Sequence, residues 1–223
     1  MIITLKNIGK KFNKDWIFRN VNYEFTSNNS YAVTGANGSG KSTLLQIISG
    51  FVMPSEGEIG IGNWELGIGE HQTEETKKQI TPNPKPQTKE TTNNFSIAAP
   101  YLELIEEMTA IEFLQFHLQF KSFIDNVSIE FVLETVQLQK AADKQIRNFS
   151  SGMKQRLKLA QAFFSNTSVL LLDEPCSNLD KQGIELYHQL IKKYSQNRLL
   201  VVCSNDEIEY SFCTEKLEMG KFV

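Results

Sequence analysis

A chain of 223 residues is long enough to bury one substantial core, with room for a small appended subdomain. Its formal net charge of −3 gives no electrostatic reason to expect a nucleic-acid partner, because the cationic excess that holds phosphate backbones is missing. Cys176, Cys203 and Cys213 form neither an even disulfide framework nor a metal-spaced set, which fits packing residues in a reduced, cytosolic compartment.

The opening "MIITLKNIGKKFNKDWIFRNVNYEF" lacks the apolar run of a secretory signal, and nowhere does an apolar stretch approach the roughly 18 residues of a membrane span. Next, "YAVTGANGSGKSTLLQIISG" predicts a short buried strand, Tyr31–Thr34, then a glycine-rich turn and a helix whose Leu44, Leu45, Ile47 and Ile48 face a sheet. Within it Gly35, Ala36, Asn37, Gly38, Ser39, Gly40, Lys41 and Ser42, followed by Thr43, match the G-x-x-x-x-G-K-[ST] phosphate loop. Glycines let successive N–H groups point inward, the helix N-terminus adds partial positive charge, and Lys41 reaches the β- and γ-phosphates. Ser42 offers its hydroxyl to Mg²⁺, so a bound nucleoside triphosphate is implied.

From about 62 to 94 the chain is rich in Thr, Lys, Gln, Glu, Pro and Asn and almost without apolar residues after Ile68. Such a stretch cannot hold one conformation by its own packing, so an exposed, mobile hairpin or loop is expected. A ligand-binding role for its "PNPKP" segment is the alternative. Beyond it, "FSIAAPYLELIEEMTAIEFLQF" predicts a strand Phe95–Ala99 that ends before Pro100, and periodic segments from Thr109 to Leu138 predict helices. Phe113, Phe116, Phe120 and Phe123 stand open between core and an exposed groove, with at least two expected in the core.

"NFSSGMKQRLKLAQAFFS" opens with the small-residue turn Ser150-Ser151-Gly152. It continues as a helix with an apolar face (Leu157, Leu159, Ala160, Phe163, Phe164) and a basic one (Lys154, Arg156, Lys158). "SVLLLDEP" is an apolar strand ending in two carboxylates, and α/β folds place ligands at the carboxyl ends of such strands. Asp173 can then hold the Mg²⁺ shell while Glu174 polarises a water for in-line attack on the γ-phosphate. A second apolar run, "LLVVCSND", stops at Ser204, Asn205 and Asp206.

The order of phosphate loop, Phe149-Ser150-Ser151-Gly152-Met153, Asp-Glu strand and Ser177-Asn178-Leu179-Asp180 resembles that of the ATP-binding cassette (ABC) ATPases. The usual signature is L-S-G-G-Q, so Ser151 replaces the first Gly and Met153 the Gln. The likeness covers nearly the whole chain except the polar insert. It implies an α/β fold: a P-loop NTPase core with a mostly parallel sheet, an antiparallel β subdomain and an α-helical signature subdomain. One domain over 1–223 is expected, with core and β subdomain at about 1–100 and 166–223 and the helical subdomain at about 102–165. "KLEMGKFV" matches the family's last hairpin, with no appended regulatory domain.

The resemblance also implies roles. ATP and Mg²⁺ are the expected ligands, with Phe12 either stacked on the adenine or simply packed in its strand. Ser150 and the N–H of Gly152 would meet the γ-phosphate of a second, head-to-tail copy, with Asp180 in the loop that crosses the dimer interface. Tyr101 stands where the family has a Gln that touches Mg²⁺ and the attacking water. Asn205 stands where it has a His that contacts the γ-phosphate, and His71, His117 and His188 lie elsewhere. Asn can donate or accept but cannot change charge near neutral pH, so slowed turnover is expected.

The implied function is the ATPase subunit of an ABC transporter, resembling small export-type cassettes and working on a separate membrane permease. It would be cytoplasmic and peripheral at the inner face of the membrane. The alternatives are a soluble ABC ATPase of an assembly task and a weakly hydrolysing switch partner of a second cassette.

Overall fold

The computed structural model describes residues 1–62, 94–125 and 127–222. The polar insert expected over 62–94, with His71 and the "PNPKP" segment, therefore lies almost wholly outside the described residues.

Strands β1 (Ile2–Phe12) and β2 (Asp15–Thr26) form an antiparallel hairpin closed at Asn13, whose φ of 56° suits a tight turn. The register shifts between Leu5 and Ile8, and Asn7 takes up the irregularity at φ 51°. Ile3, Leu5 and Ile8 consequently all reach the buried side. A third strand, β4 (Glu56–Gly62), pairs with the other edge of β1, giving the order β2-β1-β4.

The second sheet contains β3 (Ser30–Thr34), β5 (Phe95–Ala98), β6 (Val169–Asp173), β7 (Leu199–Cys203) and β8 (Glu215–Glu218). They run parallel in the order β5-β6-β7-β3-β8. Side chains alternate across a strand, so β6 and β7 serve two cores at once. Val169, Leu171, Leu199, Val201 and Cys203 pack with the antiparallel sheet and α1 (Lys41–Ile48). Leu170, Leu172, Leu200 and Val202 pack with the helices on the opposite face.

Strand β5 is one residue shorter than expected. The Ala99 carbonyl, just before Pro100, accepts from Leu102 N–H at 3.2 Å in a turn instead of continuing the ladder. The expected final hairpin is also corrected. Strand β8 pairs parallel with β3, and the chain then tightens into a 3₁₀ turn at Met219–Lys221. Met219 is fully buried, which draws the backbone inward, and Phe222 O accepts from Arg19 N–H of β2 at 2.8 Å.

Helices cover the face of the parallel sheet away from α1: α2 (Ala110–Leu118), α3 (Ile129–Thr135), α4 (Ser151–Phe164), α5 (Lys181–Tyr194) and the short α6 (Glu207–Tyr210). Thr109 and Glu112 form a reciprocal capping box that starts α2, and Ser150 caps α4 by accepting from Met153 N–H at 3.2 Å. Phe113 and Phe123 lie in the core, whereas Phe116 and Phe120 are exposed. The basic face expected on α4 is not a free one. Arg156 donates to Gln137 and Asp180, Lys154 pairs with Glu106, and Lys158 donates to the Ala99 and Pro100 carbonyls. The carbonyls of the Ala99–Pro100 turn are acceptors that the helix pattern alone could not reveal.

Candidate functional site

Three adjacent parallel strands deliver the site. The loop after β3 carries Gly35 to Gly40, β6 ends in Asp173 and Glu174, and β7 leads through Ser204 to Asn205. Because β6, β7 and β3 are neighbours, their carboxyl-terminal tips converge. A cavity of about 340 Å³ lies there, lined by Ile17, Asn37, Gly38, Gly40, Lys41, Ser42, Thr43 and Glu174.

The loop's geometry explains its composition. Gly40 sits at φ 90°, and a Cβ there would lie 2.5 Å from the Phe18 ring, so neither the conformation nor the space admits a side chain. The Lys41 ammonium is drawn back over the loop, donating to the Gly35 carbonyl at 2.6 Å and the Ala36 carbonyl at 3.2 Å. Among the described residues, three buried side-chain polar atoms lack a hydrogen-bond partner: Ser39 Oγ, Asp173 Oδ1 and Arg198 Nε. Two of the three lie on the phosphate loop and at the tip of β6, and such buried polar groups are the kind a bound group satisfies.

Asp173 is 2% exposed, and burial raises its carboxyl pKa to about 6. The neighbouring Glu174 charge pushes in the same direction, while Ser42 and Lys41 oppose it. A buried carboxylate with an unpaired oxygen beside a serine hydroxyl is a donor set of hard oxygens that suits Mg²⁺. Glu174 is exposed and adopts a left-handed backbone at φ 43°, with its N–H donating to Cys203 O at 2.9 Å. A non-glycine residue in that region stores strain of a kind that clusters at functional sites.

Asn205 is brought to the phosphate loop. Its Oδ1 accepts from Gly35 N–H at 3.3 Å and its Nδ2 donates to Asn37 Oδ1 at 2.9 Å. The Gly35 donor can face only an acceptor, which fixes the orientation of the Asn205 amide. Tyr101 comes close enough to Asp173 to feel its charge. Burial, and then that charge, raise the phenol well above its ordinary pKa, and the Gln46 side chain of α1 works against them. Sequence reasoning missed Gln46, since nothing in an ordinary helix position marks it.

Other candidates lie away from the cavity. Phe12 is 49% exposed, so it is not the packed strand residue of the alternative reading, and Lys10 Nζ sits 5.0 Å from its ring centroid. Ser150 and Gly152 stand at the start of α4, where a Cβ on Gly152 would lie 3.0 Å from Asn178 O. Asp180 caps α5 through Gly183 N–H at 2.8 Å and pairs with Arg156 at 3.1 Å. The backbone amide of Gly183, followed by Arg156, holds its carboxyl below the usual range.

A family model described as ABC transporter matches residues 18–177. The chain is 29% identical over 221 residues to the uncharacterized ABC transporter ATP-binding protein YybJ of Bacillus subtilis (strain 168), covering 98% of this chain and 93% of that one. It is 26% identical over 221 residues to the cytochrome c biogenesis ATP-binding export protein CcmA of Haemophilus influenzae, covering 99% and 96%. A solved dimeric structure of a bacterial ABC transporter cassette matches with a TM-score of 0.76 at 26% identity, covering 98% of this chain and 95% of that one.

Proposed function

The chain belongs to the ABC transporter family as an ATP-binding cassette, and from that premise we propose that it hydrolyses Mg-ATP between two head-to-tail copies to drive a separate membrane permease. The observation that carries hydrolysis is the pair of strand-end carboxylates beside the phosphate loop, one buried with an unpaired oxygen and the other exposed into the cavity. Lys41 exchanges its loop carbonyls for the β- and γ-phosphates, and Ser42 and Asp173 would hold Mg²⁺, which would supply charge neutralisation at the transferring phosphoryl group. Glu174 takes a proton from the attacking water, and Asn205 donates to the γ-phosphate from its place on the loop. Phe12, half exposed, would stack on the adenine.

Ser150 and Gly152 lie outside their own chain's cavity, and Ser150 is exposed at a helix N-terminus, which supports a role toward the nucleotide of a second copy. The solved dimer of a related cassette supports the same reading. A groove of about 300 Å³ on the helical side, whose lining includes Phe51, Leu104, Ile105, Phe113 and Phe120, supports docking of the permease. No helix among the described residues is long and apolar enough to cross a membrane, in keeping with a peripheral subunit at its inner face. A second reading, a weakly hydrolysing partner of another cassette, is favoured by Tyr101 and Asn205 alone.

The test is mass by light scattering of the Glu174→Gln variant. Mg-ATP is expected to double the 25.4 kDa monomer, and a monomer at saturating ATP contradicts the head-to-tail dimer.

A further inference from the structure

The peptide joining Pro175 to Cys176 is gripped from both sides by buried side chains. Its carbonyl accepts from Gln155 Nε2 at 2.8 Å, and its N–H donates to Glu209 Oε1 at 2.6 Å. Gln155 is 4% exposed and Glu209 5%. One comes from the second turn of α4, the other from α6, so two elements distant in sequence meet on one peptide plane. Glu209 is itself anchored, since its own carbonyl accepts from Tyr187 OH of α5 at 2.7 Å.

The gripped peptide begins one residue after Glu174, whose left-handed φ of 43° is unfavourable for a side-chain-bearing residue. Such a conformation persists only where its surroundings over-determine it. Before Glu174, the bond from its N–H to Cys203 O fixes the backbone; after it, the Gln155 and Glu209 bonds do so. Burial raises the Glu209 carboxyl pKa, and the Asp206 and Glu174 charges add to this against Ser204 and the Cys176 amide. A carboxylate buried beside two other acidic groups is there for the amide it receives.

We propose that Gln155 and Glu209 are positioning residues that hold Glu174 in its left-handed conformation and so aim its carboxylate at the attacking water. This rests on the ATPase reading above. Gln155 lies in the helix that Ser150 starts, so contact at the signature end of α4 is relayed to the base through one side chain and one peptide.

The variants Glu209→Met and Gln155→Met each remove one grip, and Glu209→Gln keeps an acceptor oxygen. Each Met variant is expected to lower kcat for ATP roughly ten- to a hundredfold, with KM changed by less than about twofold. Glu209→Gln is expected to recover most of the activity. Hydrogen exchange at the Cys176 amide is expected to accelerate in Glu209→Met and stay slow in Glu209→Gln. In a Glu174→Gln background, Glu209→Met is expected to change residual turnover no further. Unchanged kcat in both Met variants, unchanged Cys176 exchange, or an equal loss in the Glu174→Gln background overturns the proposal. A wild-type chain without turnover overturns the ATPase reading instead, and the Cys176 exchange then still decides whether Glu209 grips this peptide.

Discussion

Asp173 concentrates the chemistry of the site in one buried carboxyl. Its pKa is raised from 3.8 to about 6, so between those values the folded chain binds more protons than the unfolded one. Stability of the nucleotide-free protein therefore falls as pH rises through that window, by roughly 2–3 kcal/mol at most. Asp173→Asn removes this slope. Its melting temperature without nucleotide is expected to exceed that of the wild type at neutral pH and to match it near about pH 4, by calorimetry. An equal difference at both pH values contradicts the assigned cause. The same variant is expected to lose Mg²⁺-dependent ATP binding. Asn205 makes a different point. Its amide already contacts the loop at Gly35 and Asn37, so position is not what it lacks. What it lacks is a charge that a proton can switch, and Asn205→His is expected to raise ATP turnover about tenfold in a steady-state assay. No change would mean that the site has adapted to the amide.

At the level of elements, function depends on where strands end. Strands β6 and β7 each alternate their side chains between two cores, which pins their register, and a one-residue slip would carry Asp173 to the wrong face. The signature turn is held as tightly against the Ser177–Asp180 loop. A Cβ at Gly152 meets Asn178 O at 3.0 Å, and Asn178 itself sits at φ 62°. Gly152→Ala is therefore expected to cut ATP turnover at least about tenfold while lowering the melting temperature by only a few degrees, roughly. A large fall in melting temperature with normal turnover contradicts it. These element-level features explain what the sequence could disclose. Lys41 and Ser42 after β3, and Asp173 and Glu174 at the end of β6, announce themselves because the chemistry of each pair is set by spacing within its own strand-turn unit. Gln155, Glu209 and Gln46 do not, because each matters only through a partner brought close by the fold, 20 residues away for Gln155 and 33 for Glu209. The expected final hairpin gives way to a parallel strand and a 3₁₀ turn for a related reason: burial of Met219, a tertiary effect, overrides the local pattern.

For the whole molecule, the parallel sheet separates two duties. One face, with α1 and the antiparallel sheet, builds the core beneath the phosphate loop; the other carries the helices that bear Ser150 and the exposed groove. Among the described residues the helical side meets the sheet tips through Gln155, which binds Pro175 O just after Glu174, and through Lys158, which binds the Ala99 and Pro100 carbonyls. Under the proposed transport reading, a cycle of ATP binding and hydrolysis at those tips would move the helical side relative to the core. The proposed mechanism requires Glu174 to be the base of ATP hydrolysis. Steady-state Mg-ATP turnover of the purified wild type and of Glu174→Gln tests this most directly. Wild-type turnover is expected to be measurable and to fall about a hundredfold or more in the variant while ATP binding is kept. Wild-type turnover as slow as that of Glu174→Gln would contradict it.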